Sequence, residues 1–526
     1  MLQKVGRALA GRGCDRYYAV AAAALLLIGT VLRVLGYFGG IEFWVDEAFW
    51  AMQIAGGGSS IIRPVGYVWV SEWLIHLRNT EPVIRSVSFV AGLASLPAFL
   101  AMCRQAGLSR LASLFGLFIL AVHPEAVAMT KEFKPYALEL FLHLLLLWLA
   151  FSYLRTQKAW RLGGLCLVAA VAPLFSWSVA VLYPGLFLTI AVWAFRQRRL
   201  SPLLASLGGG VVALGVFLAV FLVRVQGEDL SPFYWGRKYD VFFTGANPWR
   251  HLRWLLRKTY QVASFPSLME TFWLDRSAVR LFSSLQAVLC LFGVIAMTVG
   301  RRWRWVGLWV SPWVVTVALN LLGRWPYGMF RTNLFLMAFS LPPALAALDE
   351  LQKWLSEREV LGRTGRLIVP AYCALFFLTF LPLDLDYFST KAASMSHNCY
   401  VRRAMEVIYQ AERDAPAPEN EAPDNKRPLL LCPHACRIYS YYRDYHREAR
   451  ERYNAFFRER YQTVCMDRSP EGAVDDHVER GFWLIACRRA YAASARQYAL
   501  RHCRKVDHLQ DFPNGNLLLR CRGRTE

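Results

Sequence analysis

The stretch Glu42–Tyr67, EFWVDEAFWAMQIAGGGSSIIRPVGY, interrupts an otherwise strongly apolar N-terminal third of the chain. It places two adjacent carboxylates, Asp46 and Glu47, between apolar segments of spanning length at Tyr17 to Gly36 and Val83 to Cys103. The stretch is therefore predicted to be the first loop of a protein that crosses a membrane several times. A solvated acidic loop is the plain alternative. A functional acid pair is favoured because the neighbouring aromatic residues are typical of the bilayer interface: Phe43, Trp44, Phe49 and Trp50.

The composition points the same way. Of the 526 residues, 56% are hydrophobic, 14% aromatic and 19% charged, which is too apolar for an ordinary soluble enzyme. The net charge of +22 suggests a polyanion at first sight, but much of the Lys and Arg lies in short tracts between apolar segments. Topogenic charge explains those tracts without nucleic acid, and a basic surface also favours anionic lipids and lipid phosphates. We expect membrane lipids as partners and no nucleic acid.

About eleven transmembrane helices are predicted, and the first is interpreted as a retained signal anchor because no small-residue cleavage site follows it. The two short segments on either side of Trp177 also fit a re-entrant pair. The predicted spans are Tyr17 to Gly36, Val83 to Cys103, Arg110 to Met129, Pro135 to Leu154, Trp160 to Ser176, Ser178 to Phe195, Pro202 to Val223, Ala278 to Gly300, Trp305 to Leu322, Tyr327 to Leu348 and Leu367 to Leu385.

Arg and Lys cluster in alternate loops, and the positive-inside rule assigns those loops and the N-terminus to the cytoplasm. The protein is thus predicted in the cytoplasmic (inner) membrane as a multi-pass protein. The segments on the outer side are then loop 37–82, the turn at Lys131 to Lys134, loop 226–277, the turn at Gly323 to Pro326, and everything after Asp386.

Two outward turns break this rule, because Lys131 with Lys134, and Arg324 with Arg331, place cations where topology disfavours them. One interpretation is that these cations pair with Glu132 or with headgroups. The other is that they bind an anion at the outer membrane surface, and a lipid-linked phosphate is the anion found at that depth.

Two outward segments have the pattern of amphipathic helices lying in the interface. In Pro248 to Val262, apolar residues recur at helical spacing opposite three arginines. In Val65 to Leu77, Trp69 and Trp73 are one helical turn apart. Simple anchoring in the interface and a role in walling a substrate cavity both fit this pattern.

The composition becomes polar after Asp386, which divides the chain into a transmembrane domain, 1–388, and an extracytoplasmic domain, 389–526. Three short apolar runs predict strands in a small α/β domain: Arg427 to Pro433, Gly481 to Cys487 and Asn514 to Cys521. Seven of the 12 cysteines lie here, so disulfides are expected if the compartment is oxidising. The run CPHAC, Cys432 to Cys436, resembles half of a metal site, but no second cluster with zinc-ligand spacing accompanies it.

The outward acids and cations together suit the transfer of a sugar from a polyprenyl phosphate to a hydroxyl or amine. A carboxylate near a dry interface can accept the acceptor's proton. The leaving group is a phosphate, whose developing charge is stabilised by Lys and Arg. Glu132 and Tyr136 are four apart and share a helix face. The candidate residues are Asp46, Glu47, Glu132, Lys134, Tyr136, Arg324, Tyr327 and Arg331, with Lys131 beside them.

Three motifs resemble the C-type glycosyltransferases, the group of protein O-mannosyltransferases and lipid A aminoarabinose transferases. WVDEAFWA with RPVGYVWV resembles their first outward loop, in which an Asp-Glu pair precedes a basic residue and proline. EFKPYALEL, Glu132 to Leu140, is similar to the E-x-R-x-Y-A-L run of bacterial members. WPYGMFRTNLFLMAFSLP, Trp325 to Pro342, resembles their late proline-rich, arginine-bearing helix. The resemblance covers roughly the first 350 residues in order.

The resemblance implies a polytopic C-type fold in which Asp46 is the catalytic base and Glu47 helps to hold the acceptor. It also implies that Arg63, Lys134 and Arg331 meet the donor phosphate. Lys134 stands where the family has Arg, which keeps the charge but loses bidentate phosphate geometry. Some relatives use a divalent metal ion near the acids, and no dedicated ligand cluster is visible here. The C-terminal domain does not resemble the β-trefoil of the eukaryotic mannosyltransferases.

The sequence is therefore interpreted as an inverting, polyprenyl-phosphate-sugar-dependent glycosyltransferase of the cell envelope, acting on a glycan, lipid or protein acceptor. Inversion is expected because one base and a single displacement suffice. Two alternatives stay open. A transporter or flippase of lipid-linked sugars would use the same cations without needing Asp46 as a base. An inert envelope scaffold would act through its C-terminal domain.

Overall fold

The computed structural model divides into two compact units. The first comprises Met1–Leu35, Ile62–Val68 and Arg85–Phe388, and the second Gly36–Ile61, Trp69–Ile84 and Ser389–Glu526. Parts of the first loop therefore belong to the same unit as the C-terminal residues. The residues described are 2–35, 37–38, 42–43, 45–56, 64–225, 240–242, 247–264, 277–328, 331–357, 362–390, 400–413, 426–466, 477, 482–487, 489–503, 505–512 and 516–522.

Helices make up most of the described chain before residue 391. They are α1 (Leu2–Val34), α2 (Val45–Ala55), α3 (Val65–Leu77), α4 (Glu81–Ala106), α5 (Arg110–Val122), α6 (Pro124–Ala128), α7 (Tyr136–Thr156), α8 (Ala159–Val171), α9 (Tyr183–Arg196), α10 (Leu200–Val225), α11 (Pro248–Ser264), α12 (Ser277–Val299), α13 (Ser311–Leu321), α14 (Met337–Glu357) and α15 (Gly362–Thr390). A π-helical stretch, Val306–Val310, precedes α13, and a 3₁₀ turn, Arg331–Leu336, precedes α14.

Every predicted span overlaps at least one of these helices, and the protein is a multi-pass membrane protein. Within the described residues, seven helices are long and apolar enough to cross a membrane, or eight if one bent pair counts as a single span. Shorter apolar helices occur at Ala159–Leu174 and Leu367–Phe380. The predicted number of about eleven stays a prediction, because breaks divide several apolar segments into shorter helices.

The bent pair is α5 and α6, which meet at an angle of 58°. Pro124 lacks the backbone N–H that a continuous helix needs there, so the helix breaks before it. Arg33 of α1 compensates, since its guanidinium donates to the carbonyls of Leu120 and Ala121 at 3.0 and 2.9 Å. These bonds satisfy the two carbonyl groups at the end of α5 that the break leaves without helical partners. They also fix the start of α6, which leads to the turn at Lys131 to Lys134.

Small residues on α4 let that turn approach closely. The Ser88 hydroxyl donates to the Lys134 carbonyl at 2.5 Å. A Cβ at Gly92 would lie 2.3 Å from the hydroxyl oxygen of Thr130, so the site accepts glycine alone without rearrangement. Ser88 and Gly92 are one helical turn apart and therefore form one side of α4.

The C-terminal residues form a five-stranded sheet flanked by helices. The order is β2-β1-β3-β5-β4, with parallel pairs β1/β2 and β1/β3 and antiparallel pairs β3/β5 and β4/β5. Its elements are α16 (Val401–Glu412), β1 (Arg427–Leu431), α17 (Pro433–Asp444), α18 (Arg447–Arg460), β2 (Tyr461–Cys465), β3 (Phe482–Ala486), α19 (Arg489–His502), β4 (Lys505–Phe512) and β5 (Asn516–Arg522).

The three strands predicted from the sequence are β1, β3 and β5, which occupy the centre of the sheet, and the small C-terminal sheet is confirmed. Strands β2 and β4 were missed. Both lie at sheet edges, where β2 is only partly buried. In β4 a bulge between Val506 and His508 interrupts the alternation of side chains on which strand prediction depends.

Four cysteines of this region form disulfides, Cys436 with Cys465 and Cys503 with Cys521. The first disulfide involves Cys436 of the CPHAC run, which is therefore not a free thiolate for a metal. Cys432 and Cys487 are buried. Cys399 lies outside the described residues.

Candidate active site

The predicted acid pair lies in the first turn of α2, where the positive end of the helix dipole favours carboxylates. Glu47 begins the buried side of this helix, which continues through Trp50, Ala51 and Ile54 at helical spacing. Asp46 is half-buried and lies on the other side of the helix. Glu47 is 0% exposed. Two acids that are adjacent in sequence thus differ in burial.

The residues just before α2 are also buried. Glu42 is 5% exposed, and its carboxylate accepts the backbone N–H groups of Arg402 and Arg403 at 2.8 and 2.9 Å. Burial raises the pKa of Glu42 to about 7, although Arg402 and the two N–H groups act in the opposite direction. Glu42 is therefore a carboxyl group that titrates near neutrality.

The turn after α6 carries the first set of predicted cations. Lys131 is the last residue of a 3₁₀ turn. Glu132 and Lys134 follow it, and Tyr136 is the first residue of α7. All four are buried, with Lys134 only 2% exposed. Charged groups so buried need compensating partners. Lys131 donates to the Leu35 carbonyl at the end of α1.

Arg85 is a buried cation of α4 that the sequence interpretation did not single out. It is 3% exposed and lies one turn before Ser88, the residue that binds the Lys134 carbonyl. A charged residue inside the predicted span Val83 to Cys103 was the available signal, because ionisable residues within membrane helices are costly and are usually functional.

The second set of predicted cations lies around the turn that precedes α14. Arg324 is exposed, whereas Tyr327 is fully buried and its hydroxyl lies 3.2 Å from that of Thr259 in α11. Lys258, also in α11, forms an ion pair with Asp240 at 3.1 Å. Burial lowers the pKa of Lys258, while Asp240 raises it. Lys258 is a second cation that the sequence interpretation missed.

Within the first unit, the structure brings the two cation-bearing segments to neighbouring elements. The 3₁₀ turn Arg331–Leu336 packs against α7, and the ring of His143 stacks on Phe335 with centroids 4.7 Å apart. Arg331 begins this turn. Asp46 and Glu47 belong to the second unit, so the meeting of acids and cations at one site stays a prediction. Arg63 lies outside the described residues.

The predicted interfacial segments are helical, as α3 and α11. Trp69 and Trp73 of α3 are exposed, as are Trp249 and Leu256 of α11. Exposed aromatic and aliphatic side chains beside basic residues fit the predicted position in the interface.

The described residues include no group of three His, Cys, Asp or Glu side chains that could hold a metal ion. In the part of the chain that the structure describes, no third His, Cys, Asp or Glu side chain joins Asp46 and Glu47 as a metal ligand.

The sequence matches no protein-family model and no curated protein. Similarity appears in solved structures. ArnT from Cupriavidus metallidurans in the apo state has a TM-score of 0.47 and 12% identity, with 95% of this chain and 98% of that chain covered. ArnT from the same organism bound to undecaprenyl phosphate has a TM-score of 0.50 and 13% identity, covering 96% and 98%. The chain has the ArnT fold.

ArnT is a lipid A aminoarabinose transferase of the C-type glycosyltransferase class, which is one of the groups that the sequence motifs resemble. The predicted fold class, a polytopic helical protein with the C-type fold and a small C-terminal sheet, is thereby confirmed. The likeness to ArnT extends over nearly the whole length of both chains, so it includes the C-terminal region as well as the helices.

Proposed function

We propose that the protein transfers a sugar from a polyprenyl-phosphate-linked donor to a glycan, lipid or protein acceptor at the outer face of the cytoplasmic membrane. The observation that carries this proposal is the ArnT fold, which occurs in a protein that binds undecaprenyl phosphate. Further support comes from acids and buried cations in the segments whose motifs resemble C-type glycosyltransferases. Fold alone does not define chemistry, so the residues of the site decide the reaction.

Asp46 is the proposed general base. The acceptor's hydroxyl or amine attacks C1 of the sugar, the bond from C1 to the phosphate oxygen breaks, and the Asp46 carboxylate takes the acceptor's proton. Polyprenyl phosphate leaves with the electron pair. One displacement inverts the configuration at C1. Glu47 is fully buried, so its proposed role in holding the acceptor requires α2 to expose it.

Cations are proposed to hold the donor phosphate and stabilise the charge that grows on it as it leaves. A point charge such as that of Lys134 can do this without the bidentate geometry of arginine. Glu132 and Tyr136 would orient a cation and hydrogen-bond the phosphate or sugar. The residues assigned to donor binding are Arg63, Lys131, Glu132, Lys134, Tyr136, Arg324, Tyr327 and Arg331. No step in this mechanism requires a metal.

Turnover of a panel of radiolabelled polyprenyl-phosphate sugars by purified protein in lipid tests the proposal. We expect one donor to be consumed, and Asp46→Asn to slow its turnover by on the order of 10³-fold while binding is retained. Glu72→Gln on α3 is the matched control, because Glu72 is an exposed acid outside the proposed site. If no donor turns over but one binds equally to wild type and Asp46→Asn, glycosyl transfer is refuted and transport of the lipid-linked sugar becomes the better account.

A further inference from the structure

The segment that leads into α2 is attached to the C-terminal part of the chain. Glu42 accepts two N–H groups at the first turn of α16, which begins after Tyr400. A carboxylate at this position caps a helix and meets its positive end. Tyrosine is not among the residues that cap helices well, so Glu42 supplies from the first loop what the local sequence of α16 lacks.

A second bond joins the next residue to α17. The backbone N–H of Phe43 donates to the Tyr442 hydroxyl at 2.8 Å, and that hydroxyl donates to Glu81 at 3.0 Å. Burial and the nearby carboxylates raise the pKa of Tyr442 well above its usual value, so the hydroxyl keeps the proton that it donates. Tyr442 thus bridges two segments that lie on either side of α2 and α3.

Glu81 receives two further partners. Arg402 lies 3.1 Å from one oxygen, and Nε2 of His446 lies 2.8 Å from the other. Nδ1 of His446 accepts the Ala449 N–H at 3.3 Å, so the ring proton is on Nε2 and donates to Glu81. We call the set Glu42, Glu81, Arg402, Tyr442 and His446 the latch.

Four members of the latch are at most 5% exposed, and Arg402 is half-buried. A buried charge network contributes little net stability compared with apolar packing, but the loss of a single partner leaves an uncompensated charge and is strongly unfavourable. Such a network therefore selects one arrangement of its segments. Here it selects the position of the residues immediately before α2.

Other contacts hold α2 along its length. Helix α17 packs against α2, the rings of Phe43 and Tyr441 lie 5.1 Å apart, and the Arg437 guanidinium lies 5.0 Å from the centre of the Phe49 ring. Phe49 is one turn after Asp46, on the same side of the helix. The C-terminal part of the chain therefore meets the side of α2 that carries Asp46.

Helix α16 is itself tied to the sheet at its other end. Glu412 is buried and accepts the Trp483 indole N–H at 2.7 Å, with Arg427 and Arg520 at 3.3 and 3.5 Å. Glu42 binds the first turn of α16, and Glu412, the last residue of the helix, binds Trp483 of the sheet. Helix α16 therefore connects the sheet to the residues that precede α2.

We infer that the C-terminal domain positions the acid-bearing helix α2 through the latch, so that Arg402 and Tyr442 act as positioning residues for Asp46. The inference rests on the proposed function for its catalytic consequence. It assigns the C-terminal domain a part in catalysis that is separate from any binding of the acceptor.

Tyr442→Phe is the sharpest test, because it removes one hydroxyl and preserves the ring. Tyr439→Phe is the matched control, since Tyr439 is a fully buried tyrosine on the same helix whose ring packs on Phe457. We expect Tyr442→Phe to speed amide hydrogen exchange of residues 45–55 by about tenfold while β1 and β3 keep their protection. We also expect kcat to fall by about tenfold with the donor KM unchanged, as displacement of a catalytic group predicts. Tyr439→Phe should change neither.

Arg402 provides a second pair of variants at one position, one without a positive charge and one with it. Arg402→Met should loosen α2 as Tyr442→Phe does, and Arg402→Lys should restore part of the protection and of kcat, because it keeps a cation beside Glu81. Unchanged exchange of residues 45–55 in both Tyr442→Phe and Arg402→Met would overturn the inference. So would a loss of protection spread evenly over the C-terminal sheet. If wild type consumes no donor, the proposed function fails separately, and the exchange data still decide whether the latch holds α2.

Discussion

The Lys131–Tyr136 turn and the acid-bearing helix α2 carry the two halves of the proposed chemistry, and they are held in place in opposite ways. The turn forms hydrogen bonds with residues of its own unit, at moderate separations along the chain. Ser88 is 46 positions from Lys134, and Leu35 is 96 positions from Lys131. Glu42 and Phe43, just before α2, bind residues 360 and 399 positions away. Membrane helices therefore position the cations of the turn, and the C-terminal part of the chain positions Asp46.

This difference predicts that each half can be displaced without the other. Changes in the helices that meet the turn should alter the donor side of the reaction and leave α2 protected from exchange. Changes in the latch should do the reverse. Elements of a protein can differ widely in their local stability, so such separate responses are physically reasonable.

Replacement of Lys134 should have the largest effect on the donor side. We expect Lys134→Met to lower kcat/KM for the donor by about 100-fold, because it removes a preorganised charge that stabilises the leaving phosphate. Lys134→Arg, which restores the residue usual in the resembled family, should keep most of the activity. Steady-state kinetics over a donor series measure both. Lys353→Met, at an exposed lysine of α14, is the control. A Lys134→Met enzyme with wild-type kcat/KM would remove Lys134 from the site.

Substitution of Gly92 should displace the turn without touching any charge. The added Cβ of Gly92→Ala would lie 2.3 and 2.6 Å from the side-chain Oγ1 and Cγ2 of Thr130, so the turn has to move. We expect turnover to fall by about tenfold and exchange of α2 to stay as in wild type. Adding Thr130→Ala removes both clashing atoms and should rescue part of the loss.

Gly208→Ala in α10 is the control for helical glycine, because a Cβ there meets nothing within 4 Å. That variant should be neutral or slightly stabilising. If Gly92→Ala also loosened α2, the two halves of the site would not be independent.

The predicted effect of Glu42 is on stability rather than on turnover, and it depends on pH. Its pKa is about 7 in the folded protein and about 4.5 when unfolded, so the folded state holds the proton more tightly. Between these two values the unfolded state binds fewer protons, and stability falls as pH rises, by up to about 3 kcal/mol. Above pH 7 this contribution is constant.

Glu42→Gln removes this titration and keeps one acceptor for the α16 cap. Thermal midpoints of the two proteins at pH 5, 6, 7 and 8 measure the difference. The wild type should lose stability relative to Glu42→Gln over this range, with most of the change below pH 7. Parallel curves would show that Glu42 does not titrate near neutrality among its charged neighbours Arg402 and Glu81.

Much of the fold could be predicted because its signals are local. A segment of about 20 apolar residues has to become a spanning helix, since nothing else satisfies its backbone in lipid. The buried strands β1, β3 and β5 are short apolar runs for a similar reason. The edge strands were harder to predict, because they depend on sheet neighbours that the local sequence does not contain.

For the site, the sequence by itself determined the residue types: an acid pair among aromatic residues, and cations in loops that are predicted to face outward. Only the tertiary structure separated Asp46 from Glu47, since one helical position turns a side chain by about 100° and decides whether it is buried. It also revealed Arg85, Lys258 and the latch. The roles of charged residues such as Glu42 and Arg402 cannot be read from the local sequence. Their energies depend on partners hundreds of residues away, and only folding brings those partners together.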